Sequence, residues 1–241
     1  MDIQPFVDGF LVTIQLCILS ATGALILGAL VAALRVSPIA PLRAMGTAYV
    51  TIFRNVPLTV VIFFFAFGFP NLDEDDPTIT HATFLKIPLL SDLLKPLGMD
   101  VPFFRFAVLS LTMYTAAFVC EAIRSGVNAV PSGQAEAARS LGLTFTQNLR
   151  YIIFPQAWKY AIVPLGSVII AMLKNSALAG ALGGVSGDLM GTADSMMSDP
   201  SAETAASLIT VFAGISIGYL IMTVPLGLVL DRVEKRRAIA R

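Results

Sequence analysis

The stretch FLVTIQLCILSATGALILGALVAAL, Phe10 to Leu34, contains no Asp, Glu, Lys or Arg. A helix needs about 20 mostly apolar residues to cross the hydrocarbon core of a bilayer. In lipid every backbone N–H and C=O must be paired within the segment, so such a run reads as a transmembrane helix. A second charge-free run, Thr204 to Leu230, reads the same way. Three more apolar stretches are interrupted. Residues 44–70 carry Arg54, residues 103–126 carry Arg105, Glu121 and Arg124, and residues 160–179 carry Pro164 and Lys174. The expected fold is therefore all-α and polytopic, with five transmembrane helices in one transmembrane domain covering 1–241. A loop at 127–159 lies between the third and fourth spans.

Composition agrees with a bilayer protein. Apolar residues make up 56% of the chain and charged residues 13%, against roughly 45–50% and about 25% in soluble chains. The formal net charge is zero, and no basic face suggests nucleic-acid binding. Cys17 and Cys120 lie far apart in apolar stretches, with no CxxC pair and no metal-ligand spacing; both read as buried, unpaired thiols. Met1 to Gly9 holds two acids and no Lys or Arg. It lacks the positive start of a secretory signal, so the first apolar segment is expected to be a permanent span.

Charge placement sets an expected orientation. The segments 71–102 and 175–203 are acidic, whereas 35–43, 121–159 and 231–241 hold most of the Lys and Arg. Positive segments stay in the cytoplasm, which puts the N-terminus outside and the C-terminus inside, as an odd number of spans requires. The clean outer spans can face lipid. The three interrupted spans are expected to line a pathway, because charged groups within a membrane rarely face lipid.

The loop VNAVPSGQAEAARSLGLTFTQNLRYIIFPQAWKY, Val127 to Tyr160, reads as two short helices. Pro131 and Ser132 suit a helix start with Ser132 as N-cap. Glu136 falls in the first turn, where the helix dipole favours an acid. Gly142 suits a C-terminal stop, Thr144 and Gln147 form a capping box, and Pro155 ends or kinks the second helix. Ala135, Ala137 and Ala138 give the first helix a small-residue surface that another backbone can approach. It reads equally as a docking knob or as a solvated connector.

Glu136-Ala-Ala-Arg-Ser-Leu-Gly142, followed by Ile152-Ile-Phe-Pro155, resembles the "EAA" loop of bacterial ATP-binding cassette importer permeases. Phe154 stands where that family usually has Leu. The resemblance extends along nearly the whole chain. Phe53-Arg-Asn-Val-Pro-Leu58, Ala117-Phe-Val-Cys-Glu121 with Arg124, Pro164-Leu-Gly-Ser167 and Leu173-Lys-Asn-Ser-Ala-Leu178 are similar to motifs of polar amino acid permeases. Arg35-Val-Ser-Pro38 and the segment from Gln134 to Gly142 are similar to the actinobacterial glutamate import permeases. Two departures concern substrate: Asn55-Val56 stands where relatives commonly have Gly-Thr, and the 71–102 loop is long and acidic.

The resemblance implies a type I importer permease fold in a bacterial cell membrane, inner or plasma. It implies a polar amino acid substrate, glutamate first and glutamine or aspartate next. It also implies partners: two copies of an ATP-binding cassette subunit, an extracytoplasmic solute-binding protein, and a second permease in a heterodimer. Coupling to the ATPase would pass through Glu136, Ala137, Ala138, Gly142 and Pro155, with the 132–141 helix dragged as the nucleotide-binding pair closes. No GxxxxGK[ST] loop occurs in the sequence. The chain is thus expected to bind no cofactor and to be no enzyme, with ATP and Mg held by the partner.

Arg54, Asn55, Glu121, Lys174, Asn175 and Ser176 are the candidate substrate-pathway residues, since a zwitterion or dicarboxylate needs charge-assisted hydrogen bonds. Each has a simpler reading. Arg54 and Lys174 can snorkel to headgroups, Glu121 and Arg124 can pair one turn apart, and Asn175 and Ser176 can cap the end of the fourth span. The run Asp73–Asp76 lacks the spacing and glycine of a calcium loop and reads as a solvated acidic surface that could touch the binding protein. Gly214 and Gly218 form a GxxxG pair for close helix packing, with the sister permease as one partner. Two other classes remain. Gly184-Val-Ser-Gly187 resembles the nucleophile motif of rhomboid-type proteases, but the one histidine, His81, falls in the acidic loop. A stand-alone secondary carrier usually has more spans and an internal repeat, and none is visible here.

Overall fold

The computed structural model describes residues 3–68, 102–183, 185, 187–198 and 205–239. His81, the run Asp73–Asp76, most of the acidic 71–102 loop and Ser186 lie outside these residues. Among the described residues there are helices and turns and no strand. The elements are α1 (Gln4–Val36), α2 (Ala40–Asn55), α3 (Leu58–Phe63), α4 (Pro102–Asn128), α5 (Ser132–Ser140), α6 (Phe145–Asn148), α7 (Phe154–Gly183), α8 (Leu189–Met197) and α9 (Ala205–Ile239). Wide π-helical turns extend α3 over Phe64–Gly68 and join α6 to α7 over Leu149–Ile153.

Among the described residues, four helical stretches are long and apolar enough to cross a membrane: Gln4–Val36, Phe103–Asn128, Phe145–Leu182 and Leu208–Arg236. The expected span 44–70 is not one helix. α2 and the stretch Leu58–Gly68 meet at 104°. Pro57 causes the break: it lacks an N–H and forces the residue before it out of the helical region. Val56 accordingly has ψ 131°. α2 itself is amphipathic. It buries Gly46 and Val50, Gly46 lying against Val31, Leu34 and Arg35 of α1, and leaves Met45 and Ile52 exposed.

The core runs between α1 and α4. Small residues let the two backbones approach: a Cβ on Gly28 would lie 2.5 Å from Val119 Cγ1 and 2.8 Å from the Ala116 carbonyl oxygen. Leu16, Ala24, Leu111, Ala116, Ala117, Val119 and Cys120 are fully buried there. α4 in turn packs on α7 at Gly126, where a Cβ would meet the Ala157 carbonyl oxygen at 2.5 Å. Of the two charge-free spans, α9 is almost bare along its length, whereas α1 buries one face against α4, α7 and α8 and leaves Leu11, Ile18, Ile26 and Leu30 exposed on the other. A helix that is apolar all round does not advertise which side packs.

Gly214 and Gly218 do serve close packing, but within the chain: Gly214 meets the Phe6 ring and Gly218 meets Leu189 and Phe10. Cys17 and Cys120 are buried free thiols.

Candidate functional site

Four charged side chains from three helices converge at one end of the bundle. Arg35 occupies the last turn of α1 and Arg54 the last turn of α2, where a cation is favoured by the helix dipole. Glu121 and Arg124 lie one turn apart on α4. Glu121 Oε1 accepts a hydrogen bond from Arg35 Nη1. Its other oxygen, Oε2, lies 3.5 Å from Arg54 Nη1 and 3.5 Å from Arg124 Nη2. Arg54 also stands over the Phe118 ring, 5.9 Å from its centroid, within cation–π range. The Arg35 side chain is 14% exposed and that of Glu121 24%, whereas Arg54 and Arg124 are nearly half exposed.

These residues line a cleft of about 300 Å³, together with Val50, Thr51 and Asn55. Three guanidiniums against one carboxylate leave an excess of positive charge at its wall. Such a wall suits carboxylate ligands, which Arg binds in paired hydrogen bonds. The Asn55 amide, however, donates to its own helix at Thr51 O (2.7 Å).

Arg54, Asn55 and Glu121 are thus brought together, and Arg124 pairs with Glu121 as the helical spacing suggested. Arg35 is a member that sequence reasoning did not place in the site. Its signal was present in the Arg35-Val-Ser-Pro38 motif at the end of the first span. Lys174, Asn175 and Ser176 do not join the group. They are consecutive on α7 and so point to different sides of it: Lys174 is exposed, Asn175 half-buried and Ser176 buried. Asn175 and Ser176 cap nothing, because α7 continues to Gly183. The Ser176 hydroxyl donates to Leu173 O (2.8 Å).

The segment joining α4 to α7 folds as a compact knob. α5 begins after Pro131, so Ser132 is its first helical residue and not its N-cap, and no side chain caps it. Glu136 lies beyond the first turn and is exposed. Gly142 stops the helix at φ +79°, a left-handed conformation that glycine adopts without strain. The capping box forms at α6: Thr144 Oγ1 accepts from Gln147 N (3.3 Å) and Gln147 Oε1 accepts from Thr144 N (2.9 Å). Asn148 Nδ2 donates to Ala135 O (3.1 Å), tying α6 under α5. Ala138 consequently faces this chain and is 4% exposed. Glu136, Ala137, Arg139 and Leu141 form the outer surface. Pro155 does not end a helix. The helical stretch Phe145–Leu182 runs through it and is widened into π-helical turns over Leu149–Ile153 just before it, where the missing proline N–H leaves an upstream carbonyl without its usual partner.

This is a helical, multi-pass membrane protein with a cation-rich cleft beside a short exposed helix. Residues 24–237 match the family described as the binding-protein-dependent transport system inner membrane component. The chain belongs to that family, and it is a transport component. Over its whole length it is 42% identical to the glutamate transport system permease protein GluC of Corynebacterium efficiens, covering 97% of that protein. It is 35% identical to the probable glutamine ABC transporter permease protein GlnM of Bacillus subtilis, over 98% of this chain and 94% of that protein. A crystal structure of an amino acid ABC transporter with histidines contains a similar chain, with a TM-score of 0.74 and 30% identity over 97% of this chain and 94% of that one.

Proposed function

We propose that this chain is the permease subunit of an ATP-binding cassette importer for a polar amino acid, with glutamate the first candidate and glutamine or aspartate next. The observation that carries the reading is the knob of α5 and α6. It is a short helix locked to its own chain through Ala138 and Asn148, with Glu136, Ala137 and Leu141 left outward for a partner. A lever of this kind has to be rigid toward the spans and free toward the motor. Whole-length similarity to a glutamate permease and the cationic cleft support an acidic substrate.

In this reading the N-terminus is outside and the C-terminus inside, in a bacterial cell membrane. The knob then faces the cytoplasm and docks on one of two ATP-binding subunits, which hold ATP and Mg and perform hydrolysis. Glu136 and Ala137 make the contact, Ala138, Gly142 and Pro155 fix the lever to the spans, and an external binding protein delivers substrate on the opposite side. A second, related permease completes the pathway. Arg54 and Glu121 lie at its inner end, and Lys174, Asn175 and Ser176 belong to its wall. The two states of such a machine differ in their affinity for the closed ATPase pair, and that difference drives the transition.

Uptake of radiolabelled glutamate into proteoliposomes holding the complete complex tests this. ATP inside and binding protein outside should be required, with aspartate and glutamine as graded competitors. Transport by the purified chain alone, driven by an ion gradient, would overturn the proposal. So would failure of a cysteine at Ala137 to crosslink to the ATPase.

A further inference from the structure

At the end of the bundle remote from the arginine cluster, α8 is bound to α1 through a buried hydroxyl. The backbone N–H of Leu189 donates to Thr13 Oγ1 (3.0 Å), which donates to Gly9 O (2.9 Å). Asp188 caps α8: its Oδ1 accepts from the Gly191 N–H at 2.6 Å. The Asp188 side chain is fully buried, and its second oxygen, Oδ2, has no hydrogen-bond partner. That oxygen is pressed against α7, where a Cβ on Gly180 would lie 2.0 Å from it.

Among the described residues no Lys or Arg pairs with Asp188. The titratable groups within electrostatic reach on the packing helices are Cys17 of α1 and Tyr219 of α9, with the Ser176 hydroxyl of α7 beside them. Tyr219 Oη is likewise buried without a partner. The other charged groups nearby in sequence, Asp8 of α1, Lys174 of α7 and Asp194 of α8, are exposed.

An unpaired carboxylate in such a place is costly, whereas the neutral acid fits. A proton on the oxygen that is now unpartnered removes the uncompensated charge, and Oδ1 would still cap the helix. We propose that Asp188 is a proton-binding site, and that its protonated form holds α8 against α1 and α7. Proton activity on that side of the membrane then sets how firmly this end of the bundle is shut. Burial pushes the Asp188 carboxyl up from 3.8 to about 6, against the pull of the Gly191 and Met190 backbone N–H groups, so the switch falls in an ordinary extracellular range.

The test uses the complete transporter in lipid nanodiscs, compared with one carrying Asp188→Asn. Asn keeps a capping oxygen and mimics the neutral acid. Infrared difference spectra between about pH 4 and about pH 8, a window spanning both forms, should show a protonated-carboxyl band that titrates near 6 and is missing from the variant. Hydrogen exchange of the α8 amides should be several-fold faster in the wild type at the alkaline end and equal in the two proteins at the acid end. A band that titrates identically in both proteins, or α8 exchange that never differs between them, overturns the proposal. Should the variant not assemble, the wild type decides alone: the band and α8 exchange must share one midpoint, and no protonated band at the acid end overturns it. Neither readout depends on which amino acid is carried.

Discussion

The two ends of the bundle each contain one carboxylate of consequence, in opposite electrical settings. Glu121 faces three guanidiniums from three helices and lines an open cleft. Among the described residues Asp188 pairs with no cation, and one of its oxygens has no hydrogen-bond partner. Along α1 the two ends are marked by Arg35 and Thr13, about 33 Å apart at 1.5 Å per residue. The same chemical group therefore ties one end by ion pairing and the other by being neutral. Salt should loosen the first and alkali the second, so the ends are separately addressable.

The comparison is easiest to break at Glu121. Replacing it by Ala leaves Arg35, Arg54 and Arg124 facing each other with no counter-charge. Removing one partner of a buried pair costs about 3–5 kcal/mol; with a quarter of the Glu121 side chain exposed, about 3 kcal/mol is expected. Thermal unfolding of the purified complex reads this, and uptake should fall at least about tenfold. Glu121→Ala combined with Arg35→Gln should lose less than the sum of the two single changes, since residues in one ion-pair network are coupled.

Asp188 should respond with the opposite sign. Unfolded, it titrates near 3.8; folded, near 6. Between those values the native chain holds a proton that the unfolded chain has released. Stability therefore falls as pH rises from about 4 to about 6 and stays lower above that. Asp188→Asn removes the penalty. A gain of about 2 kcal/mol is expected at pH 7, somewhat under what the full shift allows, and it should vanish below about pH 4. A destabilised variant at pH 7 would mean that the carboxylate is satisfied after all.

Gly142 offers a smaller effect on the side of the arginine cluster. No atom lies within 4 Å of a Cβ built there, so Gly142→Ala meets only backbone strain at φ +79°, about 1 kcal/mol. Hydrogen exchange at the end of α5 should accelerate about fivefold, with the spans unchanged.

How much of this was legible in the sequence depends on whether a signal was local or tertiary. Four of the five apolar runs, the Gly142 stop, the Thr144–Gln147 capping box and the Glu121–Arg124 pair are local, and each stands where the residues suggested; the fifth run, 44–70, breaks at Pro57. Pro57 was visible too, yet Pro164 and Pro225 lie inside continuous helices, so a proline in an apolar run does not by itself say that the run breaks. Arg35 reached the site because α1 and α4 cross at Gly28, which only three-dimensional packing reveals. Asp188 counted only as one acid of the acidic segment 175–203. Its burial depends on Gly180, eight positions earlier on α7, and on Thr13 at the far end of the chain. No periodicity links those three residues.

The smallest expected effect sharpens the comparison most, because it asks whether exposure grades the arginines. All three guanidiniums reach the same carboxylate, but Arg35 is 14% exposed and Arg124 44%. Arg124 sits three residues from Glu121 on one helix, at 3.5 Å; exposed pairs of that spacing contribute about 0.3–0.5 kcal/mol. Arg124→Gln should shift unfolding by no more than that, and about 0.5 M salt should erase the difference, since the Debye length then falls below the spacing of surface charges. Arg35→Gln strips the closest partner from a mostly buried acid, so it should cost several times more and resist the same salt. Equal losses at the two positions would mean that the cluster responds as one delocalised charge and not as a buried pair with two wet satellites, and the contrast with Asp188 would then rest on charge count alone.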